Sequence, residues 1–578
     1  MANRTLFTGR WSIAVFQADH HAVANFLTLV AALLPSAVLA QFVPPPSDLT
    51  SVKGGALGLP ARYKKVPNGI CETNPNVASY SGYVDVAQDQ HMFFWFFEAR
   101  NQDPATAPLT VYINGGPGES SMVGLFQETG PCRIDNNGNV VDNPFSWTNV
   151  SNMVFIDNPT QTGFSYSIPI PGYVDQTTGD IVELPNNLTC PDYAAGSCGT
   201  YSYPNISLTA NTTPGAAPNF WKAVQGMMAA LPKKYARNSI NLATGSYGGH
   251  YGPVFSEYFA TQNARKIAGA RQITVDHLAI YGGWYHPKIQ FGSYYNYSLN
   301  NPYDIYYLND STQEQMYQAM WGKGNCYDQQ VDCNNRLIDE VCEQTDNFCY
   351  NEVELMFDNI AGRDEYDIRE LNPDPFPSYS FVDYLNVPSV QKAIGAFTNF
   401  TQGNGNLGLG IVGTAFTDTG DDSRDDGVIA ALQSLLKQGT RIMSYVGDAD
   451  YNCNWIGNLA VSNEVNATGF SQAGFENITT SDGIVHGVVK QSGPYGFVRV
   501  YESGHQVPFY QPLTGLTLFS RLINGKDLAT GNENAAAGYL SVGPAVSTYH
   551  EGNATVVWEV LDSDATYNTT TNMPNPSS

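Results

Sequence analysis

The chain has 578 residues, of which 42% are hydrophobic and 14% charged, and it carries a formal net charge of −25. This material suffices for one large α/β core with insertions or for several domains. The negative charge argues against nucleic acid or an anionic membrane surface as a partner, because both require clusters of basic residues.

The first forty residues have the features of a secretory leader. An apolar run begins at Phe26 and ends with Val38-Leu39-Ala40, after which Gln41 would start the mature chain. A membrane anchor is the alternative, but the run is short and is broken by Pro35. We therefore predict a signal segment over residues 1–40, a secreted protein and no stable association with a membrane.

Glycosylation motifs and cysteines also favour secretion. Acceptor sequences of the form Asn-X-Ser/Thr recur along the chain, at Asn149, Asn187, Asn205, Asn211, Asn296, Asn309, Asn399, Asn466, Asn477, Asn553 and Asn568. The nine cysteines lack the paired C-x-x-C spacing of a zinc site, so we expect disulfides and no metal site.

Apolar runs recur in the order that an α/β sheet requires. Each run predicts a strand, over residues 109–113, 153–156, 240–243, 277–281, 441–446 and 497–501. Helical patterns lie between or after them, at 220–231, 254–265 and 513–523. The alternation predicts a mostly parallel central sheet with helices on both faces.

Two polar segments interrupt this alternation and define the predicted domain organisation. The first part of the core covers residues 41–286, with a surface insertion at about 168–215 that is rich in Pro, Thr, Asn and Gly. Residues 287–385 predict a cap over the carboxyl edge of the sheet, where ligands bind in such folds. The second part of the core covers 386–560, and 561–578 is a polar tail.

The loop Asn114-Gly115-Gly116-Pro117-Gly118 follows the strand at 109–113 directly. An oxyanion hole needs backbone N–H groups aimed at the place where negative charge develops. The glycines let the backbone approach a substrate carbonyl closely, so this loop is a candidate for one side of such a hole.

A serine stands in a tight turn between the strand at 240–243 and the helix at 254–265. The turn reads Thr244-Gly245-Ser246-Tyr247-Gly248-Gly249, which is the pattern of the nucleophile elbow in an α/β-hydrolase. Such a turn lifts the serine hydroxyl above the sheet, beside a helix N-terminus that favours negative charge. Ser246 is therefore the candidate nucleophile.

The candidate acid and base follow in the chain order of this fold, which is serine, then aspartate, then histidine. The strand at 441–446 ends in a loop that holds Asp448 and Asp450, and the strand at 497–501 ends in a loop that holds His505. His250 is a weaker candidate base, because the elbow helix should carry it away from the site. The pattern alone does not choose between the two aspartates, since either could accept the imidazole N–H.

Taken together, these motifs resemble the serine carboxypeptidases, within them the secreted fungal type. The resemblance runs from about residue 62 to about residue 522 and depends on several motifs in the same order: Val66-Pro67-Asn68-Gly69-Ile70-Cys71, Asn114-Gly115-Gly116-Pro117-Gly118, Leu125-Phe126-Gln127-Glu128-Thr129-Gly130-Pro131-Cys132, Gly163-Phe164-Ser165-Tyr166, Ser246 to Pro253, Gly447 to Trp455, and Gly504-His505-Gln506-Val507-Pro508.

The resemblance implies an α/β-hydrolase that releases residues from peptide C-termini at acidic pH, without metal or cofactor. It assigns the nucleophile to Ser246, the base to His505 and the orienting carboxylate to Asp450 rather than Asp448. The oxyanion donors would be the backbone N–H groups of Gly116 and Tyr247. The terminal carboxylate of the substrate would be held by groups that include Asn114, the Gly115 backbone and Glu128.

The chain departs from the family pattern at two positions beside these motifs. Gly245 stands where a glutamate usually precedes the nucleophile, which predicts a roomier pocket with a weakened hold on the terminal carboxylate. Restoring the carboxyl with Gly245→Glu is therefore expected to strengthen binding. Glu119 stands where a cysteine is usual, and the segment 399–403 near its expected partner also lacks cysteine.

Two other functions stay open. The same triad could serve an esterase or acyltransferase, because the change at Gly245 concerns carboxylate recognition and spares the triad. A catalytically impaired secreted binding protein is the second alternative. The oligomeric state and the side-chain preference are not readable from the sequence.

The resemblance also implies three disulfides, Cys71–Cys132, Cys326–Cys349 and Cys333–Cys342. Proximity alone suggests a fourth between Cys190 and Cys198. These four pairs leave Cys453 free, which accounts for the odd number of cysteines.

Overall fold

The computed structural model describes residues 42–53, 56–175, 177–185, 189–374, 376–402 and 410–558, together with a short hairpin of Tyr567–Asn568 and Met573–Pro574. The predicted signal segment and most of the predicted polar tail lie outside the described residues. No helix in the described part of the chain is long and apolar enough to cross a membrane.

One twelve-stranded sheet forms the centre of the fold, in the spatial order β1-β2-β3-β4-β6-β5-β7-β8-β9-β12-β11-β10. Its strands are β1 (Thr50–Val52), β2 (Ala61–Val66), β3 (Ser79–Ala87), β4 (Gln90–Phe97), β5 (Leu109–Ile113), β6 (Asn152–Ile156), β7 (Ser239–Gly245), β8 (Thr274–Tyr281), β9 (Arg441–Gly447), β10 (Phe475–Thr479), β11 (Val485–Ser492) and β12 (Tyr495–Val500).

The sheet is mixed. Strands β5 to β9 and β12 pair in parallel at its centre, and each corresponds to one of the six predicted strands within three residues at either end. Antiparallel strands β1–β4 and β10–β11 flank them on the two sides. The prediction of a mostly parallel sheet therefore missed these antiparallel flanks, where the sequence lacks the helix that separates parallel strands.

Helices cover both faces of the sheet, as predicted. They are α1 (Thr213–Ala230), α2 (Gly248–Arg265), α3 (Pro287–Leu299), α4 (Asp310–Trp321), α5 (Cys326–Arg336), α6 (Asp339–Cys349), α7 (Leu355–Ala361), α8 (Ser380–Leu385), α9 (Pro388–Ile394), α10 (Gly410–Thr417), α11 (Val428–Gln438), α12 (Trp455–Val465), α13 (Val507–Tyr510) and α14 (Pro512–Ile523). Single turns of π-helix lie at Gly124–Glu128 and Tyr350–Glu354.

Alternating side chains of the central strands enter two separate cores. In β5, Val111 and Ile113 pack in one core with helices α1 and α2, whereas Tyr112 packs in the other core with α14. This alternation follows from the strand period of two, and both faces are apolar because both are covered by helices. The sheet is thereby buried, and functional side chains can lie only at its ends.

Two segments of the chain lie outside the central sheet, and the sequence analysis treated both as insertions. Within 168–215, strands Pro169–Val174, Ile181–Glu183 and Cys198–Ser202 form a small antiparallel sheet of their own. Residues 287–385 form helices α3 to α8 between β8 and β9, and they contribute no strand to the central sheet.

Four disulfides join the pairs Cys71–Cys132, Cys190–Cys198, Cys326–Cys349 and Cys333–Cys342. The last two are nested and tie helix α5 to helix α6 within the cap. Cys453 is free and buried. The pairing is the one that the sequence analysis proposed.

Candidate active site

Ser246 lies in the turn that joins β7 to helix α2, at the carboxyl end of the parallel strands. Its φ angle is 58°, a left-handed conformation that a non-glycine residue rarely adopts. Its backbone N–H donates to the Tyr281 carbonyl oxygen at 3.0 Å, and its own carbonyl accepts from the Trp284 N–H at 2.9 Å. The turn is thus held at both ends, and the half-exposed serine side chain projects from it.

His505 and Asp450 come together from two different loops beyond the sheet. Nδ1 of His505 lies 2.7 Å from Oδ2 of Asp450, and the aspartate side chain is completely buried. Oδ1 of Asp450 accepts a hydrogen bond of 2.9 Å from the Cys453 N–H. Burial is the largest single influence on the pKa of His505 and lowers it, but the Asp450 carboxylate together with the charges of Glu119 and Glu128 outweighs burial, so the pKa lies above its ordinary value. Asp450 therefore fixes the ring with Nδ1 protonated and Nε2 free to accept a proton.

Asp448 has a different environment. It accepts a hydrogen bond of 2.6 Å from the Tyr303 hydroxyl and lies 3.3 Å from Nη2 of Arg499, and both charged side chains are buried. This ion pair lies inside the protein rather than at the cleft. The geometry thus separates the two aspartates that the sequence pattern left equivalent, and it pairs His505 with Asp450.

His250 is buried on helix α2, away from the base position. Its ring stacks on the ring of Tyr247 with a centroid separation of 4.9 Å, and its Nδ1 lies 3.4 Å from Oδ2 of Asp426. This histidine therefore packs behind the elbow, as its place on the elbow helix predicted.

The glycine-rich loop after β5 lies directly against the elbow. A Cβ placed on Gly115 would lie 2.5 Å from the Gly245 carbonyl oxygen and 2.7 Å from the Tyr247 backbone nitrogen, so only glycine permits this approach. In the part of the chain that the structure describes, neither the Gly116 N–H nor the Tyr247 N–H donates to another protein group. Both amides are available to a substrate oxygen.

Asn114 and Glu128 lie together beside this loop, with two tyrosines between them. The hydroxyl of Tyr112 is 2.9 Å from Asn114 Oδ1, and the hydroxyl of Tyr281 is 2.9 Å from Glu128 Oε1. The second Glu128 oxygen, Oε2, is buried and has no hydrogen-bond partner among the residues that the structure describes. Burial raises the pKa of Glu128 to about 7. At acidic pH this carboxyl is therefore protonated and can donate a hydrogen bond.

The space beside Gly245 is filled by Tyr281, so the prediction of a roomier pocket is wrong. A Cβ on Gly245 would lie 2.0 Å from Cζ of Tyr281. The ring of Tyr281 also lies edge-on to the ring of His505, with centroids 6.0 Å apart. A tyrosine from the neighbouring strand β8 thus takes the volume of a side chain at position 245 and places its hydroxyl on Glu128.

This packing changes the expected result of Gly245→Glu. Because the new side chain would collide with the Tyr281 ring, we expect a loss of stability of about 1–3 kcal/mol, the usual cost of overpacking. We also expect kcat/KM to fall for peptide acids and peptide amides alike, since Tyr281 contacts both Glu128 and His505. Thermal melts and kinetics on the two substrates measure these effects.

The matched control is the double variant Gly245→Glu/Tyr281→Ala, in which the ring is absent and the glutamate has room. It should regain part of the stability that the single variant loses. A single variant as stable as the parent would show that Tyr281 does not occupy this space in solution.

Glu119 contacts the side-chain amide of Asn114. Its Oε2 accepts a short hydrogen bond from Asn114 Nδ2, and its Oε1 accepts one of 2.9 Å from Gln402 Nε2. The Ser120 N–H also donates to the Gln402 carbonyl at 3.0 Å. Where the family pattern has a disulfide, this chain therefore has a hydrogen-bonded pair of polar side chains.

A loop of the cap contacts the loop that holds Asp450 and the loop that holds His505. The His505 N–H donates to the Tyr366 carbonyl at 2.7 Å, and the Ile368 N–H donates to the Ala449 carbonyl at 3.0 Å. The Tyr366 ring lies 5.1 Å from the His505 ring. Sequence reasoning did not identify Tyr366, Tyr281 or Gln402, because no local motif marks residues that reach the site from other segments.

Several carboxyl groups with raised pKa values surround this cap loop. Burial and the charges of Glu365 and Asp358 raise the pKa of Glu354 well above its ordinary value. Burial also raises the pKa of Asp364 to about 6. Both side-chain oxygens of Asp358 are buried and find no hydrogen-bond partner within the described ranges of the chain. These groups are protonated in the folded protein at acidic pH, and each must ionise inside the protein as the pH rises.

We therefore expect the folded protein to lose stability as the pH rises. A carboxyl whose folded pKa exceeds its unfolded pKa of about 4.3 stabilises the fold fully only at lower pH, and its contribution declines up to the folded value. The melting temperature should be highest near about pH 4–5 and should fall through about pH 7. Glu354→Gln should flatten this decline, because an amide does not ionise. If the melting temperature of Glu354→Gln fell with pH as steeply as that of the parent, the raised pKa assigned to Glu354 would be contradicted.

The chain matches the family model described as serine carboxypeptidase over residues 67–525. It is 37% identical over 531 residues to carboxypeptidase S1 homolog B of Arthroderma otae, which covers 85% of this chain and 80% of that protein. It is 35% identical over 470 residues to carboxypeptidase S1 of Penicillium janthinellum, which covers 80% of this chain and 99% of that protein.

A solved structure is similar in fold. It is a prohormone-processing carboxypeptidase from Saccharomyces cerevisiae, which matches with a TM-score of 0.62 and 21% identity over 80% of this chain and 95% of that chain. The arrangement of sheet, helices and elbow is therefore that of an α/β-hydrolase.

Proposed function

Since the chain belongs to the serine carboxypeptidase family, we propose that Ser246, His505 and Asp450 release residues from peptide C-termini through an acyl-enzyme at acidic pH. The observation that carries this proposal is the hydrogen bond of 2.7 Å between His505 Nδ1 and the buried Asp450 carboxylate, beside an elbow that presents Ser246.

In this mechanism Nε2 of His505 takes the proton of the Ser246 hydroxyl while the oxygen attacks the last peptide carbonyl. The carbonyl electrons move to the oxygen, which the Gly116 and Tyr247 N–H groups stabilise. The C–N bond then breaks, and the proton on His505 passes to the leaving amine. A water molecule repeats the sequence on the ester, which releases the shortened peptide and restores the serine.

The groups proposed to bind the terminal carboxylate of the substrate support an exopeptidase that prefers acidic pH. The Glu128 pKa of about 7 leaves this carboxyl protonated at acidic pH, when its unpartnered Oε2 can take part in a hydrogen bond to a terminal carboxylate. Asn114 and the Gly115 backbone lie at the same place. Ionisation of Glu128 would place like charges together, so KM for free-acid peptides should rise with pH.

An ester hydrolase or acyltransferase is the second candidate, and one observation favours it. The Asn114 side-chain amide already donates to the Glu119 carboxyl, so an ionised Glu119 would oppose a substrate carboxylate at this place. A substrate without a terminal charge would avoid that repulsion. No comparable observation favours a binding protein without catalysis, because all three residues of the proposed triad are present.

Turnover of three matched substrates tests the proposal: an N-blocked dipeptide, its C-terminal amide and its ester. A carboxypeptidase should cleave the free acid with the lowest KM at acidic pH. Cleavage of the ester and amide with a free acid left intact would favour the second candidate. Failure on all three, with no labelling by a serine-reactive fluorophosphonate, would leave only a binding function.

We also propose that the protein is secreted. The leader-like segment, the Asn-X-Ser/Thr acceptors and the four disulfides all suit an oxidising extracellular compartment. Mass spectrometry of the culture medium and of cell extracts, after removal of N-linked glycans, tests this location.

A further inference from the structure

A second carboxyl group, that of Glu119, lies at the carboxylate-binding end of the cleft. It follows the glycine loop directly, and a Cβ placed on Gly116 would lie 3.3 Å from the Glu119 Cβ. The side chain is half-buried, so part of it is accessible to solvent. Its charge raises the pKa of both His505 and Glu128, so Glu119 lies near both of these groups.

The hydrogen bonds of Glu119 hold the carboxyl in a fixed orientation. Asn114 Nδ2 donates to one oxygen, and Gln402 Nε2 donates to the other at 2.9 Å. Asn114 Nδ2 is also the amide group that the family resemblance assigns to the substrate carboxylate. Glu119 and a bound carboxylate would therefore be neighbours on the same amide.

Position 245, on the opposite side of Asn114, has no room for an acidic side chain. The Tyr281 ring fills that space, and its hydroxyl lies 2.9 Å from Glu128 and 3.2 Å from Asn114 Oδ1. An acidic side chain at position 245 would therefore collide with this ring, whereas Glu119 reaches the Asn114 amide from the glycine loop.

We propose that Glu119 is a specificity-determining residue, which recognises the terminal carboxylate of the substrate as a protonated acid from the side opposite to position 245. This inference deepens the proposed carboxypeptidase function and rests on it. In the protonated form, the Glu119 O–H donates to a substrate oxygen while the other carboxyl oxygen keeps its bond from Asn114 or Gln402. In the ionised form, the group offers no donor and repels the substrate carboxylate.

Burial raises the pKa of Glu119, although the hydrogen bonds from Gln402 and Asn114 and the charge of His505 oppose this shift. The switch between donor and repelling charge therefore falls above the ordinary range for a glutamate. The consequence is selective, because a peptide amide has no terminal charge to repel. Only free-acid ligands should respond to the titration of Glu119.

Binding to a protein that cannot turn over tests this selectivity without relying on catalysis. In the Ser246→Ala background, calorimetry would measure the Kd of an N-blocked dipeptide acid and of its amide at about pH 4.5 and about pH 7. We expect the Kd of the acid to rise about tenfold or more with pH, the weight of a hydrogen bond to a charged group, and the Kd of the amide to change little.

Adding Glu119→Gln, which keeps the size of the side chain, should reduce the rise of the acid's Kd with pH to the part that Glu128 contributes. The acid should bind more weakly at low pH, where a charge-assisted O–H donor is replaced by an amide, and more tightly near neutral pH, where the repulsion is removed. Glu119→Asp retains a titrating carboxyl and should keep a pH-dependent preference for the acid.

Asp364→Asn is the matched control, because it removes a negative charge near His505 without changing the proposed carboxylate subsite. Asp364 also acts on His505, but its side chain accepts hydrogen bonds from the Tyr366 and Asp367 backbone amides. This variant should leave the ratio of acid to amide affinity unchanged. An unchanged pH dependence in Glu119→Gln, or equal shifts for acid and amide, would overturn the proposal for Glu119. If the proposal for Glu119 failed in this way while the parent enzyme still cleaved peptide acids, the proposed carboxypeptidase function would be unaffected.

Discussion

Ser246→Ala is expected to lower kcat by about a millionfold, the usual effect of removing the nucleophile of a triad. The fold should stay intact for a specific reason. Ser246 makes its structural contacts through the backbone, by way of the Tyr281 and Trp284 hydrogen bonds. Alanine has the same Cβ as serine, so the left-handed conformation at this position costs no more than before.

Ser256→Ala on helix α2 is the matched control. Its hydroxyl is buried and donates to the Gly252 carbonyl within the helix, so its removal should leave turnover close to the parent value. A serine-reactive fluorophosphonate should label the parent and the control, but not Ser246→Ala. Turnover near the parent rate in Ser246→Ala would refute the assigned nucleophile.

Asp450→Asn is expected to lower kcat by about ten-thousandfold, as in triads whose aspartate is replaced by its amide. Asparagine preserves the size of the side chain but removes the charge that raises the pKa of His505. Its amide can also turn its N–H₂ toward Nδ1 and favour the wrong tautomer. Steady-state kinetics at several pH values measures this effect. The fall in kcat should persist at every pH, because a change of pH can compensate for the lowered pKa of His505 but not for the wrong tautomer.

Asp448→Asn provides the contrast, because the two aspartates are near neighbours in sequence with different surroundings. The change leaves Arg499 buried without its counter-charge, which typically costs about 3–5 kcal/mol of stability. The melting temperature should fall markedly, while the folded fraction should keep most of its kcat. A greater loss of kcat in Asp448→Asn than in Asp450→Asn would reverse the assignment.

The sequence was sufficient to predict the central strands. Each of the six parallel strands is a continuous apolar run, because a strand buried on both faces needs apolar side chains throughout. The glycine loop and the elbow were readable for a related reason. Tight turns and close backbone approach, as at Gly115, admit few residue types, so their composition marks them locally.

The antiparallel flanks were not predicted, and β3 and β4 show why. They are joined by a two-residue turn, and β4 is almost entirely apolar. A short apolar run does not specify the direction of its partner. Pairing direction depends on the length of the connection and on the partner that is available, and both belong to the whole sheet.

The sequence by itself determined the fold class and indicated the residues of the proposed triad, because burial and turn geometry leave local patterns. The tertiary structure decided how the site is completed. It paired His505 with Asp450, placed the Tyr281 ring beside Gly245, and joined Glu119 to Gln402 across 283 residues of chain. These contacts depend on which loops meet when the sheet forms. Local patterns in the sequence do not show which side chains from distant segments will be in contact after folding.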